Sequence, residues 1–186
     1  MEIQNMVGTG NLGVEVDVAA LADDVEAVQV TYEVTNYHGL YIRLVPNGPL
    51  ITLFRTGKYN IAGASSKDEL FEAREQFIDL MREAGVVDNG GEGPFNISNI
   101  VVTADLGRKL DLNRLSVALG LENVEYEPEQ FPGAVYRPGE GLSVVMLYSN
   151  GKIVITGSRT MEVAERTYDY VRDQVEKASS KTASTE

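Results

Sequence analysis

Cysteine is absent from this chain, which removes disulfides, thiolate metal sites and cysteine nucleophiles at once. Tryptophan is absent too, and histidine is reduced to His38. A single histidine argues against a histidine-built metal centre or catalytic triad, and His38 reads as a polar loop residue. No metal, no cofactor and no catalysis are expected. No segment approaches the roughly 18 consecutive apolar residues of a membrane span, and Met1-Glu2 opens without a basic, apolar leader. The expectation is a cytoplasmic protein outside the membrane, in which the Asn96-Ile97-Ser98 glycosylation pattern is fortuitous. At 186 residues with 43% hydrophobic side chains, enough remains to bury one ordinary core or two fused halves.

Positive charge is also scarce. Asp and Glu number 28 against 16 Lys and Arg, for a net charge of −12. Taken whole, that argues against nucleic acid, whose phosphates are normally met by basic side chains. The distribution reverses the inference. Residues 37–64 contain no acid yet carry Arg43, Arg55 and Lys58, and residues 131–158 hold Glu140 alone against Arg137 and Lys152. Acids gather instead at Asp68, Glu69, Glu72, Glu75, Asp79 and Glu83, and again at Glu162, Glu165, Asp169, Asp173 and Glu176. A carboxylate-dense exterior with two segments kept clear suits a salt-rich cytosol, where it keeps a protein hydrated and soluble. An ordinary acidic protein is the plainer alternative.

What is present is a duplication. Displaced by 94 positions, residues 5–63 fall on a second version of themselves without a gap. Asn5 lands on Asn99, Leu12-Gly13 on Leu106-Gly107, Asp17 on Asp111 and Tyr32 on Tyr126. Gly39 lands on Gly133, Arg43 on Arg137, Gly57-Lys58 on Gly151-Lys152 and Gly63 on Gly157. Solenoid units run only roughly 20–50 residues. Two copies at this larger scale suggest one pseudo-twofold molecule whose target is long and approximately twofold, and duplex nucleic acid fits first. The expected organisation is a first repeat over 1–87, a linker over 88–96, a second repeat over 97–178 and a polar, disordered tail over 179–186.

Periodicity supplies the elements. Residues 3–9 and 97–103 read as strands, each followed by Leu-Gly and a short extended piece. Residues 17–22 and 111–119 read as short helices capped by Asp17 and Asp111. Strand character returns at 28–33 and 124–127, then over 40–62 around Pro46-Asn47-Gly48-Pro49, whose twin is Pro138-Gly139-Glu140-Gly141. Each copy closes on a long amphipathic helix, with stripes Leu70, Phe71, Arg74, Phe77, Ile78, Met81 and Met161, Ala164, Tyr168, Val171, Val175. Such helices can cover one sheet face only, which leaves the acid-free strands as the candidate binding surface.

One motif competes. Gly8-Thr9-Gly10-Asn11-Leu12-Gly13 matches G-x-G-x-x-G after a strand, with Glu33 at the ribose-contacting distance. Against it, Val14, Val16 and Val18 alternate where a helix should begin, the helix that follows is short, and the second copy keeps only Gly107. Nucleotide binding is the weaker interpretation.

The same residues carry a resemblance. Ile3-Gln4-Asn5-Met6-Val7 and Leu12-Gly13 in the first copy, with Ser98-Asn99-Ile100-Val101-Val102-Thr103 and Asp105-Leu106-Gly107 in the second, resemble TATA-box-binding proteins of the archaeal type. So do Tyr126-Glu127-Pro128-Glu129-Gln130-Phe131-Pro132-Gly133 and Ser149-Asn150-Gly151-Lys152-Ile153-Val154-Ile155-Thr156-Gly157. The likeness reaches from the start to about residue 177, and 126–157 is its most specific part. The acidic composition adds a halophilic archaeon as the source.

The resemblance implies an α+β fold: a pseudo-twofold saddle of two tandem repeats, with a curved antiparallel sheet and helices on its convex face. It implies a general transcription initiation factor that binds TATA-like promoter DNA in the minor groove as a monomer and bends it. That factor would recruit transcription factor B and, through it, RNA polymerase in the archaeal nucleoid. Base-reading positions would be Asn5, Val7, Asn60, Ala62, Asn99, Val101, Val154 and Thr156. Amides can donate to the acceptors that line an A·T minor groove, and small apolar side chains fill a groove lacking the guanine amino group. Arg43, Lys58, Arg137 and Lys152 would meet phosphates. The family's intercalating aromatics would be Tyr37, Phe54, Phe131 and Tyr148, the alternative being ordinary cross-strand rings. Glu127, Glu129 and Gln130 would receive transcription factor B, the alternative being a solvated loop.

Departures gather in the first copy, where Asn60, Ala62 and Thr52 stand opposite Val154, Thr156 and Met146. One half of the binding face is thus more polar than the resemblance leads one to expect. A diverged paralogue, acting as a promoter-selective regulator or as a protein-binding module with weak DNA affinity, is the second interpretation.

Overall fold

The computed structural model describes residues 1–32, 39–88 and 93–183. They form two compact units, Gln4–Ser98 and Met1–Ile3 with the segment from Asn99 onward. In chain order the first copy contributes β1 (Glu2–Asn11), α1 (Val18–Asp24), β2 (Gln29–Tyr32), β3 (Gly39–Arg43), β4 (Leu50–Phe54), β5 (Lys58–Ala64) and α2 (Lys67–Glu83). The second contributes β6 (Phe95–Asp105), α3 (Leu112–Leu119), β7 (Val124–Glu125), β8 (Gly133–Tyr136), β9 (Val144–Tyr148), β10 (Lys152–Ser158) and α4 (Met161–Ala183). The strands run in the order β2-β3-β4-β5-β1 in one copy and β6-β10-β9-β8-β7 in the other, antiparallel throughout.

Alternation decides which way each strand faces, because successive side chains in a strand point to opposite sides. Ile51, Leu53, Tyr59 and Ile61 are buried, as are Val145, Leu147, Ile153 and Ile155 in the second copy. Their neighbours Thr52, Phe54, Asn60, Ala62, Met146, Tyr148, Val154 and Thr156 are only half-buried. The helices begin where the sequence places caps. Asp17 accepts from Ala19 N at 3.2 Å and Ala20 N at 3.1 Å, and Asp111 accepts from Arg114 N at 3.1 Å. At α2, Ser66 Oγ accepts from Glu69 N at 3.1 Å while the Glu69 carboxylate accepts from Ser65 Oγ at 2.6 Å and Ser65 N at 2.7 Å. The Ser65 hydroxyl, followed by its N–H, holds the Glu69 carboxyl below its ordinary pKa.

The two cores solve the same packing problem differently. In the unit Gln4–Ser98, Gly8 and Gly10 leave room for rings: a side chain at Gly8 would run into Phe95, and one at Gly10 into Tyr59. Tyr59 meets Phe77 at 4.8 Å and stacks on Phe95 at 5.9 Å, and Phe71 meets Phe95 edge-on at 5.5 Å. Phe95 is thus half-buried among these rings, and the expected linker ends earlier than residue 96 because Phe95 and Asn96 open β6. Of the expected α2 stripe, Phe71 and Arg74 lie at its margin, the Arg74 guanidinium over the Phe95 ring at 5.5 Å.

In the second copy the positions matching Pro49, Ala64 and Ala73 are Ser143, Ser158 and Thr167, all buried. Ser143 Oγ and Ser158 Oγ lie 2.7 Å apart, Ser143 N donates to Thr167 Oγ1 at 3.0 Å, and Thr167 Oγ1 donates to Val163 O at 2.7 Å. Each buried hydroxyl thus has a partner, as burial requires. Of the expected α4 stripe, Ala164, Val171 and Val175 are buried, and Thr167 joins them in place of the half-buried Tyr168. Burial, followed by a hydrogen bond to Tyr170, raises the Tyr136 hydroxyl far above its ordinary pKa.

The tail expected over 179–186 is shorter than composition implies, since α4 runs to Ala183. Ser179 Oγ donates to Val175 O at 2.9 Å and Ser180 Oγ to Glu176 O at 2.6 Å, so these hydroxyls are absorbed by the helix, and no Gly or Pro stops it. Among the described residues, no helix is long and apolar enough to cross a membrane.

Candidate functional site

The sheet face away from the buried side chains carries the expected base-reading positions in two matching sets. In the unit Gln4–Ser98, register places Thr9 beside Asn60, Asn60 beside Thr52, Thr52 beside Tyr41 and Tyr41 beside Thr31, one straight row across five strands. Val7 pairs with Ala62, and Ala62 with Leu50, in the next row. In the other unit the corresponding row is Thr103, Val154, Met146, Val135 and Glu125, and Thr156 pairs with Val144. Sequence reasoning missed Thr9, Tyr41, Thr103 and Val135. The signal was available, since each lies two residues or one strand from a position it did identify.

Asn5 and Asn99 are held by a device that sequence periodicity does not reveal. The pairing of β1 with β5 slips by one residue, Met6 opposite Ala64 but Val7 opposite Ala62, which leaves Gly63 as the extra residue of a bulge. The same slip separates Ile155 opposite Val102 from Ser158 opposite Ile100 in β10 and β6, where the glycine is Gly157. Both glycines sit at positive φ, +99° and +92°, conformations that side chains disfavour. A bulged residue loses its ladder partner, and here the vacancy is filled from across the strand. Gly63 N donates to Asn5 Oδ1 at 2.8 Å and Gly157 N to Asn99 Oδ1 at 2.7 Å. Because a backbone N–H can only donate, these bonds fix which end of each amide is oxygen. The oxygen is engaged. The Nδ2 groups have no partner among the described residues and remain as donors on half-buried side chains.

The aromatics divide. Phe131 and Tyr148 form an edge-on pair with centroids 5.9 Å apart, both half-buried. Gly133 stands across the ladder from Tyr148, and a methyl group there would lie 2.9 Å from Phe131 Cε1 and 3.1 Å from Tyr148 Cε1. Gly39 bears the same relation to Phe54, at 3.4 Å from Phe54 Cε1. Tyr37, with His38, lies outside the described residues. The chain reaches Phe131 by a tight turn in which Gln130 N and Phe131 N both donate to Glu127 O at 2.9 Å. That turn leaves Glu127, Glu129 and Gln130 exposed.

The four basic residues are not equivalent. Lys58 and Lys152 are exposed and have no ion pair among the described residues. Arg43 is half-buried, donating from Nη1 to Gly48 O and from Nε to Gln29 Oε1 at 3.4 Å. Arg137 pairs with Glu125 at 3.2 Å, both exposed, so part of its charge is already answered. The competing G-x-G-x-x-G motif is not a phosphate loop: Gly8 and Gly10 lie inside β1 and admit the rings of Phe95 and Tyr59. Only Gly13 turns, at φ +78°, where its N–H donates to Asn11 Oδ1 at 2.9 Å, as Gly107 N does to Asp105 Oδ1 at 2.8 Å. Among the described residues no acidic or histidine cluster could hold a metal ion.

Known proteins share this fold and sequence. The family model for transcription factor TFIID (or TATA-binding protein, TBP) matches twice, over residues 1–84 and 94–178. The chain is 47% identical to TATA-box-binding protein C of Halobacterium salinarum, covering 95% of this chain and 97% of that protein. It is 41% identical to TATA-box-binding protein 2 of Haloferax volcanii, covering 95% and 93%. The solved structure of Methanococcus jannaschii TBP superposes with a TM-score of 0.80 at 36% identity, covering 95% of this chain and 98% of that one. The α+β fold of two tandem repeats is therefore the TBP fold, and the chain belongs to the TATA-binding protein family.

Proposed function

We propose that this chain is a transcription initiation factor that binds A·T-rich promoter DNA in the minor groove, each unit taking one half of the site with its open sheet face. The observation that carries the proposal is the pair of amides whose oxygens are engaged and whose N–H groups have no partner among the described residues. An A·T minor groove offers only acceptors, A N3 and T O2, at nearly symmetric positions. Donor-only amides on Asn5 and Asn99 match that pattern. Val7, Val101, Val154, Ala62 and Thr156 supply the small, largely apolar surface that fits a groove without guanine amino groups.

The minor groove is only about 6 Å wide in B-form DNA, so a sheet face enters it only if the duplex is opened and bent. Phe54, Phe131 and Tyr148, with Tyr37, are assigned to wedge between base steps, a mode for which TATA-binding proteins are themselves the established example. Lys58 and Lys152 meet flanking phosphates, with Arg43 and Arg137 contributing what their internal partners leave. Glu127, Glu129 and Gln130, exposed on the turn that delivers Phe131, receive transcription factor B, which admits RNA polymerase. The role is binding without catalysis, as a monomer on DNA in the cytoplasm. Fluorescence anisotropy on an A·T-rich duplex in molar potassium chloride, followed by addition of transcription factor B from a halophilic archaeon, tests both steps. One-to-one binding and a further increase on adding the factor are expected; equal affinity for a duplex of G·C pairs would refute minor-groove readout.

The polar row of the unit Gln4–Ser98 favours a narrower second reading, that of a promoter-selective member of the family whose sites are not TATA-like on both sides.

A further inference from the structure

The amide of Asn60 differs in kind from those of Asn5 and Asn99. Asn5 and Asn99 have their oxygens engaged by bulged glycines and can only donate. Asn60 lies in a regular stretch of β5, between buried Tyr59 and Ile61, and projects from the open face half-buried. Among the described residues its amide has no hydrogen-bond partner at either end, and the hydroxyls of its neighbours Thr9 and Thr52 have none either. An unengaged primary amide in the middle of a binding face can accept as well as donate.

The minor groove contains one feature that such a group can read and a donor-only amide cannot. A G·C pair adds the guanine N2 amino group, a donor, between the acceptors. Against a valine or methionine that amino group is buried without a partner, which is costly. Against the Asn60 oxygen it is satisfied, while Asn60 Nδ2 and the two threonine hydroxyls can serve the flanking acceptors. The equivalent row of the other unit, Val154 between Thr103 and Met146, has no such oxygen at its centre.

Resting on the minor-groove function above, we infer that Asn60 is a specificity-determining residue that accepts a hydrogen bond from a guanine amino group. The half-site bound by the unit Gln4–Ser98 then takes a G·C pair, whereas the half-site bound by the other unit excludes one. The preferred element of this protein is A·T-rich with guanine or cytosine on one side only.

The test uses the full chain and a nested set of labelled duplexes: all A·T, one G·C pair stepped along one half, and one G·C pair in each half. The parallel set carries inosine for guanine, which removes the amino group and leaves the rest of the pair in place. At its best position a single G·C pair should leave affinity within about twofold of the all-A·T duplex, since the protein can orient Asn60 over it. A second G·C pair in the other half should weaken binding by about fivefold to a hundredfold, the range of one mismatched pair, and inosine there should restore it. In Asn60→Val, which places the residue of the second copy in the first, the guanine duplex should bind about fivefold to a hundredfold more weakly than its inosine counterpart at that same position, whatever the change in affinity for the all-A·T duplex. The wild-type inosine comparison needs no variant and stands even if Asn60→Val does not fold. A single G·C pair that weakens the wild-type protein at every position, with inosine restoring it, would overturn the inference and leave minor-groove binding intact. Failure to bind any of the A·T duplexes would overturn both.

Discussion

The engaged amides make a prediction that separates folding from recognition. Asn5→Asp retains an oxygen at the position that accepts from Gly63 N, 2.8 Å away, but replaces the Nδ2 donor by a second acceptor. Asn99→Asp does the same opposite Gly157 N, at 2.7 Å. The bulges should therefore survive, and stability should change by no more than about 0.5 kcal/mol, the usual scale for a surface substitution that breaks no feature. Binding should suffer far more. Loss of one donor to a base edge costs roughly 1–3 kcal/mol, about fivefold to a hundredfold in affinity, and the new carboxylate faces acceptors and phosphates as well. Asn5→Ala and Asn99→Ala supply the contrast. They remove both ends of the amide, leave the glycine N–H to water, and should lower stability by about 1 kcal/mol, the net value of one hydrogen bond, with a similar loss of binding. Thermal unfolding and fluorescence anisotropy on an A·T-rich duplex, on the same samples at the same salt, give the two axes. If Asn5→Asp and Asn99→Asp each bind with parental affinity, the free Nδ2 groups do not face DNA and the assignment of the open face is wrong.

Three further outcomes follow from the site. Phe131→Ala removes one ring of a pair worth about 0.5–1.5 kcal/mol, so stability should drop modestly, while energy transfer between the ends of a labelled duplex should report less bending at saturation; unchanged bending with Phe131, Phe54, Tyr37 and Tyr148 each replaced singly would make these rings structural. With Arg43 and Arg137 partly engaged internally, the number of released counterions is about two, so the slope of log affinity against log salt should be no steeper than about −2, and screening of the carboxylate surface should flatten or invert it. A slope beyond about −4 between roughly 0.3 and 3 M potassium chloride would show that basic contacts dominate. Glu69→Gln should destabilise at neutral pH by less than about 1 kcal/mol, since the carboxylate is exposed and screened. Because the folded carboxyl lies below its ordinary pKa, that difference should be complete above about pH 4.3 and disappear as pH falls through the folded value, with an unchanging difference down to strong acid as the contrary result.

Much of this was legible in the sequence, for reasons that also mark where legibility stops. Strands and helices with period two or 3.6 and a side-chain cap announce themselves, and a duplication lets each copy check the other. Hence β1, β6, the Asp17 and Asp111 caps and the face carrying Asn60 and Val154 fall where periodicity puts them. Properties that depend on register do not announce themselves. Whether Gly63 is a turn or a bulge is decided by the one-residue slip between β1 and β5, and only that slip brings Asn5 within reach across 58 residues. The pairing of Arg137 with Glu125 depends on β7 lying beside β8, and Phe95 reads as linker until Tyr59 and Phe71 are seen to close on its ring.

The Asn–Gly pins are identical in both copies, whereas the central rows differ at every position but the first: Asn60, Thr52, Tyr41 and Thr31 against Val154, Met146, Val135 and Glu125. The pins are tied to backbone geometry through their oxygens, so losing that oxygen disturbs the bulge as well as the contact. The row residues project from regular strands, and on a half-exposed strand face a substitution that respects β character costs little stability. If Asn5 and Asn99 read the groove and Asn60 the base pair, as proposed, recognition and discrimination reside in separate residues under separate structural constraint. On that proposal the chain can shift its promoter preference through Asn60 and Thr52 at little cost to its fold.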